Sequence, residues 1–220
     1  MSTRLISLMP LLILLALMQG CSTMGPMRGV GDTVVLDKTV VELPEAQLLD
    51  VWVEIFNPGT LPEDEEDAAG LSMDIREAEA RYFPEQLRAT MERTGYWGAV
   101  RLVPQDTAGS ELLVSGTIIE SDGENLELEI RVQDATGKEW LRRTYSKEID
   151  YTQYLRIDRE GEDVFQPLYN AIANDLAKLR AKLERGDITE IRRVASLRFA
   201  SDLAPEAFEG YLEQDGDRFG

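Results

Sequence analysis

The residue whose type and position most directly indicate chemistry is Cys21, the only cysteine in the chain. It follows Gly20 and a nearly unbroken apolar run from Leu5 to Met18, with Arg4 as the only charge before that run. The fourteen residues of the run would reach about 21 Å as a helix, short of the roughly 30 Å hydrocarbon core of a bilayer. The run is therefore typical of a signal-peptide apolar region rather than of a permanent membrane span.

The Gly20-Cys21 pair after this run resembles the lipobox of bacterial lipoproteins. The resemblance implies cleavage between the two residues by a dedicated signal peptidase, acylation of Cys21 with fatty acids such as palmitate, and attachment to a membrane through that lipid. Because Ser22 rather than aspartate comes next, it also implies sorting to the outer membrane, on its periplasmic face. An uncleaved anchor, or an ordinary signal peptide followed by a chance cysteine, is the alternative interpretation.

Several kinds of catalytic site are excluded by composition. The chain contains no histidine, which excludes a histidine general base, a Ser-His-Asp or Cys-His nucleophile and every histidine-ligated metal site. A single cysteine excludes an intrachain disulfide and a cysteine-rich metal site. Nucleophile-elbow, phosphate-loop and dinucleotide motifs are also missing from the folded part of the sequence. We therefore expect no catalytic residues, no metal and no cofactor.

Carboxylates are the remaining reactive groups. An unbroken acidic run consists of Glu63, Asp64, Glu65, Glu66 and Asp67. Such a run predicts a solvated loop kept open by self-repulsion, which would also be available to a partner. A calcium site is the alternative, but the run lacks the spaced ligands and central glycine of a calcium loop. A carboxylate pair that cleaves cell-wall glycan is the remaining enzymatic hypothesis.

The overall charge narrows the choice of partner. The chain has 220 residues, with 41 acidic against 23 basic side chains and a formal net charge of -18. Nucleic acid is excluded as a partner because its binding needs basic patches that neutralise phosphates. Broad electrostatic adhesion to an anionic lipid surface is disfavoured for the same reason. With 43% hydrophobic residues, the chain has enough apolar material for a folded core.

The hydrophobic pattern predicts an α+β fold, a two-layer sandwich whose mixed sheet contains an antiparallel meander. Two main helices are expected to pack on this sheet, with a further helix at the C-terminus. Strands are predicted at residues 48–56, 99–103, 111–120, 126–132 and 139–149, with a possible edge strand at 33–41.

The first predicted helix spans Met73–Thr94, with Ser72 as its N-cap and Gly95 as its C-cap. Its apolar stripe consists of Ile75, Ala78, Tyr82, Leu87 and Met91. Pro84 is expected to kink or divide this helix. The neighbouring aromatic residues are interpreted as core rather than as a ligand box; they are Tyr82, Phe83, Tyr96 and Trp97.

The second predicted helix opens at Asp163 as N-cap, with Pro167 in its first turn, and its apolar stripe continues to Gly186. The chain then divides into four predicted parts. Residues 1–20 are a lipoprotein signal peptide, 21–32 a flexible tether, 33–186 a periplasmic domain, and 187–220 a helical extension with an acidic tail.

The order of elements over residues 48–183 is similar to that of the TolB amino-terminal domain and the CsgG-like envelope lipoproteins. The shared features are a strand, a helix, two further strands and a meander whose hairpin carries the Asp134–Lys138 turn, DATGK. The resemblance implies a small domain that recognises other envelope components and has no catalytic residues. We therefore expect a lipid-anchored outer-membrane lipoprotein that serves as a non-catalytic protein-interaction or assembly module.

Overall fold

The computed structural model describes residues 25–64, 70–105, 109–150 and 163–208, and the backbone of residues 214–215 and 218–219. The main sheet contains β1 (Met27–Gly29), β2 (Val51–Glu54), β3 (Val100–Val103), β4 (Leu112–Ser121), β5 (Asn125–Asp134) and β6 (Glu139–Glu148). These six strands lie in the order β1-β6-β5-β4-β2-β3. A separate two-stranded ribbon pairs β7 (Gln214–Asp215) with β8 (Arg218–Phe219).

The predicted meander is confirmed, since β4, β5 and β6 pair antiparallel in sequence order. The remaining strand pairs of this sheet are parallel: β2 lies between β3 and β4, and β1 lies beside β6. The alternation predicted for β5 is also present, because its four inward side chains are fully buried: Leu126, Leu128, Ile130 and Val132. One face of the sheet therefore forms the core.

The helices are α1 (Met73–Thr94), α2 (Gln166–Arg180), α3 (Arg185–Leu203) and the short α4 (Pro205–Phe208), with a 3-10 turn at Glu45–Gln47. α1 contacts β2, β3 and β4, α2 contacts β6, and the two helices contact each other. The chain thus has the predicted α+β architecture, with two helices packed on a mixed sheet.

α1 begins and ends where its capping residues predict. The Ser72 hydroxyl accepts a hydrogen bond from the Ile75 N–H at 3.2 Å, and Gly95 adopts a left-handed conformation with φ 72°. The predicted division at Pro84 is wrong, because α1 runs through it. Pro84 has no N–H for the carbonyl of Ala80, but the Phe56 N–H donates to that carbonyl at 2.9 Å, so the acceptor is satisfied from the sheet.

The boundary between α2 and α3 differs from the prediction. α2 ends at Arg180, and Gly186 lies in the first turn of α3. Asp163 is not the N-cap; its carboxylate accepts the Phe165 N–H at 2.7 Å in the turn that precedes α2. The carboxylate of Asp187 accepts the Glu184 N–H at 2.8 Å and so caps the start of α3. The helix predicted after Gly186 is therefore present, but it begins at Arg185, before the predicted end of the preceding helix.

The predicted flexible tether at residues 21–32 is wrong for its second half. Met27–Gly29 form β1, and the Val30 N–H continues the pairing to the Ser146 carbonyl at 2.8 Å. Gly25 already lies against β6, since a Cβ at this position would come within 2.3 Å of the Arg142 carbonyl oxygen. A short glycine-rich segment has no periodicity that predicts a strand, and here the edge of β6 provides the partner.

The possible edge strand at residues 33–41 is not a strand in the structure. Asparagine side chains of α2 pair with its backbone instead. Asn170 donates to the Val34 carbonyl at 2.7 Å, and Asn174 donates to the Val35 carbonyl at 2.8 Å. Asn174 also accepts the Asp37 N–H at 2.8 Å. The segment is held extended across α2 by these side chains, which no local pattern could predict.

The domain also continues past the predicted boundary at residue 186. Ile188, Ile191 and Val194 of α3 belong to the same buried cluster as the sheet and the first two helices. α3 is therefore part of the folded unit and not an extension of it.

Candidate functional site

The predicted apolar stripe of α1 separates into two faces in the structure. Leu87 and Met91 are fully buried, but Ile75 is 52% exposed and Tyr82 is 48% exposed. The core side of the first half of α1 is formed by Arg76, Ala80 and Phe83, the last of these also a buried aromatic residue as predicted. Over the residues that the structure describes, a second and exposed apolar face therefore runs along the N-terminal half of α1.

Helical geometry explains this division. At 100° per residue, Ile75 and Tyr82 lie about 20° apart around the helix axis, whereas Leu87 lies about 120° from Ile75. The sequence therefore contains a signal for two faces, namely the angle of about 120° between Ile75 and Leu87. The separations between successive apolar residues do not reveal it, because each single separation is compatible with one helical stripe.

The exposed face of α1 forms one wall of a cavity of about 570 Å³, which we call the α1 groove. The opposite wall comes from the β4–β5 turn and the residues before α2. The lining residues are Ile75, Ala78, Glu79, Tyr82, Phe83, Ser121, Gly123, Asp163, Val164 and Phe165. A concave and largely apolar wall with a few polar groups is the usual character of a binding surface.

Glu79 is the main polar side chain of the α1 groove. One carboxylate oxygen accepts the Ser121 hydroxyl at 2.7 Å, which links α1 to the end of β4. The other oxygen, Oε2, is buried without a hydrogen bond among the described residues, and the Arg76 Nε atom lies 3.7 Å from it. Because this oxygen is closed to solvent, the neighbouring Arg76 guanidinium, and not an occupant of the groove, balances its charge.

A second polar contact closes one end of the α1 groove. The Tyr82 hydroxyl donates to the Asp163 carboxylate at 2.6 Å and so joins α1 to the start of α2. Burial, together with this hydrogen bond and the negative charge of Asp163, raises the pKa of Tyr82 to about 12. The phenol is therefore protonated at neutral pH and acts as a fixed donor. Because its one proton is donated to Asp163, the Tyr82 oxygen could only accept a hydrogen bond from a ligand in the groove.

A separate ionic cluster joins β1 to α2, and we call it the Asp175 cluster; it consists of Arg28, Arg143, Tyr145, Asp175 and Lys178. Asp175 Oδ2 accepts from Arg28, from Arg143 at 2.6 Å and from the Tyr145 hydroxyl at 3.0 Å. The Lys178 ammonium lies 3.7 Å from the other oxygen. Both guanidinium groups also lie about 6 Å from the centre of the Tyr145 ring.

Two opposing effects act on Asp175. Burial disfavours the carboxylate, but hydrogen bonds from Arg28 and Tyr145 and the charges of the two arginines outweigh it, so the pKa of Asp175 lies below its ordinary value. The same surroundings act oppositely on the phenol, since burial and the Asp175 charge raise the pKa of Tyr145. Asp175 is therefore ionised at neutral pH, with three cations around it.

The structure describes only some of the residues that the sequence singled out. Gly20 and Cys21 lie outside the described residues, as do Glu65, Glu66 and Asp67 of the acidic run. Glu63 and Asp64 are exposed before α1. Of the four predicted core aromatics, Phe83 and Trp97 are buried and Tyr96 packs against the core, whereas Tyr82 faces the α1 groove.

Two other features are absent from the part of the chain that the structure describes. No helix in the described ranges has the length and apolarity needed to cross a bilayer. Over the same residues, no group of three or more acidic or cysteine side chains is placed to hold a metal ion. No protein-family model matches the sequence, and no curated protein is significantly similar to it.

Proposed function

We propose that this protein is an outer-membrane lipoprotein, anchored through acylated Cys21, whose periplasmic domain is a non-catalytic interaction or assembly module for another envelope protein. The observation that carries the anchor is the Gly20-Cys21 pair directly after a short apolar leader. Two or more acyl chains on one cysteine bury enough methylene groups for stable attachment, at about 0.8 kcal/mol for each.

The α1 groove supports the role as an interaction module. Its exposed apolar face on α1 contains Ile75 and Tyr82, with exposed fractions of 52% and 48%. Adjacent apolar side chains of this size beside a cavity are typical of a surface that a partner covers. We therefore propose the α1 groove as the contact surface for the envelope partner.

The anchor is tested by replacing Cys21 with alanine in cells that produce the chain naturally. We expect the natural protein to fractionate with outer membranes and to carry acyl groups by mass spectrometry, and the Cys21→Ala variant to remain as an unprocessed precursor. If the variant is processed normally and still sediments with outer membranes, the proposed anchor is wrong.

The partner surface is tested with a photo-crosslinking side chain at Ile75, with the same group at Leu203 as a control. Leu203 is 70% exposed on α3 and does not line the α1 groove. We expect a discrete crosslinked envelope protein from the Ile75 site that is lost when Tyr82 is changed to alanine. Equal crosslinking from both sites would contradict the proposal.

The enzymatic alternative is tested on the same groove. Glu79 and Asp163 are the carboxylates that line it, so a glycan-cleaving site here would depend on them. We expect no release of soluble fragments when the protein is incubated with peptidoglycan. Release that is abolished in Glu79→Gln or Asp163→Asn would defeat the module and support the alternative.

A further inference from the structure

The short distance between the predicted lipid and the folded domain carries a further inference, which rests on the proposed function. Because Gly25 already lies against the Arg142 backbone, only Ser22, Thr23 and Met24 separate it from Cys21. Four peptide steps span at most about 14 Å. An acyl group on Cys21 would therefore hold the β1 edge of the sheet close to the membrane surface, whatever path the connecting residues take.

The same edge carries a local excess of positive charge. The Asp175 cluster contains three cations and one carboxylate. Its cations reach solvent, with side-chain exposures of 34% for Arg28, 32% for Arg143 and 64% for Lys178. Arginine and lysine are the side chains that bind phosphate oxygens, arginine in particular through its planar fork of donors.

The charge of the remaining molecule acts in the same direction. The net charge of -18 repels an anionic membrane, so most orientations of the domain are disfavoured at short range. The Asp175 cluster presents the opposite sign, and it lies at the edge closest to the anchor. Repulsion elsewhere and attraction here together favour a single orientation.

We infer that the β1 edge of the sheet faces the membrane, with Arg28, Arg143 and Lys178 against the phosphate headgroups of anionic lipids in the leaflet that holds the acyl chains. The lipid provides attachment, and the Asp175 cluster provides orientation. In this orientation β3, at the opposite edge of the sheet, is directed away from the membrane.

The orientation is tested with the full acylated protein in lipid nanodiscs. Acylated Cys21 has no free thiol, so one introduced cysteine is a unique labelling site. A fluorophore is placed at Met27→Cys on β1, where the side chain is 62% exposed, or at Ser196→Cys on α3, beside Arg101 of β3. Energy transfer is measured to an acceptor on lipid headgroups.

We expect stronger transfer from the Met27 site than from the Ser196 site in discs that contain phosphatidylglycerol. Equal transfer from the two sites, or stronger transfer from Ser196, would overturn the orientation. Mass spectrometry of Cys21 in the same samples separates the two proposals. An unmodified cysteine overturns both the anchor and the orientation, whereas an acylated cysteine with equal transfer overturns only the orientation.

The role of the cations is tested with Lys178→Gln, against Arg193→Gln as a control that removes one charge from an exposed ion pair on α3. One basic residue near an anionic surface changes the balance of orientations about fivefold. With the fluorophore at Met27→Cys, we expect Lys178→Gln to lower the ratio of high-transfer to low-transfer molecules by about that factor in phosphatidylglycerol discs. Arg193→Gln should leave this ratio unchanged, and zwitterionic discs should show no effect of Lys178→Gln.

If Lys178→Gln and Arg193→Gln change the ratio equally, the proposed headgroup contact is wrong. Lys178 is largely exposed, so its substitution leaves the core intact. Circular dichroism of each variant checks this directly. If Arg143→Gln lowers the ratio by a similar factor and leaves the circular dichroism spectrum unchanged, a second cation of the cluster also contacts the headgroups.

Discussion

At the scale of single residues, Asp175 is the group that joins several distant parts of the chain. Its carboxylate binds Arg28 of β1, Arg143 of β6 and the Tyr145 hydroxyl, and so joins the edge of the sheet to α2. Removal of this acceptor would leave both guanidinium groups and the phenol without their common partner. Partial exposure of the arginines limits that penalty, since water can replace part of the lost contact.

We predict that Asp175→Asn lowers the free energy of unfolding at pH 7 by about 1–3 kcal/mol. Because the pKa of Asp175 is depressed in the folded state, its contribution is present above the unfolded pKa of about 3.9 and is lost as pH falls through the lower folded value. Urea unfolding of both proteins between pH 7 and pH 2 should therefore give curves that converge at acid pH.

The control for this prediction is Asp202→Asn at an exposed position of α3, which should change stability little at any of these pH values. A difference between wild type and Asp175→Asn that stays constant down to pH 2 would contradict an ionic origin. It would indicate that the variant disturbs the local structure for another reason.

Gly116 is a second residue whose identity is fixed by its surroundings. A Cβ at this position of β4 would lie 2.8 Å from the ring of Phe56, which is 1% exposed. We predict that Gly116→Ala destabilises the protein by about 1–3 kcal/mol, because the ring must move within a filled core. Thermal unfolding followed by circular dichroism measures this loss.

Gly186→Ala is the matched substitution for comparison. Gly186 lies in the first turn of α3, and a Cβ at this position would have open space within 4 Å among the described residues. Alanine there should be neutral or stabilising by up to about 1 kcal/mol, since it restricts the unfolded chain. Equal destabilisation by the two changes would show that the contact with Phe56 is not the cause.

At the scale of elements, the N-terminal segment is part of the fold. Besides the pairing of β1 with β6, Asp32 provides a carboxylate 2.8 Å from the Lys147 ammonium, whose side chain is 2% exposed. A fully buried cation that loses its partner destabilises a protein by about 3–5 kcal/mol. Loss of this pair alone costs less, because Asp32 is 73% exposed and Lys147 also donates to the Glu148 carbonyl at 2.9 Å. The N-terminal segment therefore contributes more to the stability of the fold than its three-residue strand suggests.

We predict that a chain starting at residue 33 is less stable than one starting at residue 22 by about 3–5 kcal/mol, since it loses β1 and the partner of Lys147. Urea unfolding of the two proteins measures the difference. Asp32→Asn in the longer chain removes the ion pair alone and should give a smaller loss. Equal urea midpoints for all three proteins would contradict this prediction and support the flexible tether that the sequence predicted.

The elements that can be predicted from the sequence are those whose information is local. Ser72 and Gly95 cap α1 through their own side chain or backbone conformation, and β5 alternates strictly. The elements that escape prediction depend on distant partners. β1 needs the edge of β6, and the extended segment after it needs Asn170 and Asn174. The α1 groove could not be predicted either, because residue spacing shows which side chains share a helix face but not which face another element covers.

At the scale of the whole molecule, charge repulsion opposes folding. The excess of 18 negative charges lies mostly on the surface, and compaction brings these charges together. Surface ion pairs such as Arg88 with Glu85 and Arg193 with Glu190 act in the opposite sense. Each exposed pair contributes only about 0–1 kcal/mol, so the excess negative charge dominates the response to salt.

We predict that the unfolding temperature rises as NaCl increases from about 10 mM to about 0.3 M, because the screening length shortens from about 30 Å to less than 10 Å over this range. The rise should level off once screening is complete, whereas a stabilising effect of salt on apolar burial continues to grow at higher concentration. Differential scanning fluorimetry over the full range separates the two effects. An unfolding temperature that falls from the first additions of salt would mean that favourable ion pairs outweigh the repulsion, and the acidic surface would then be a stabilising network rather than a source of strain.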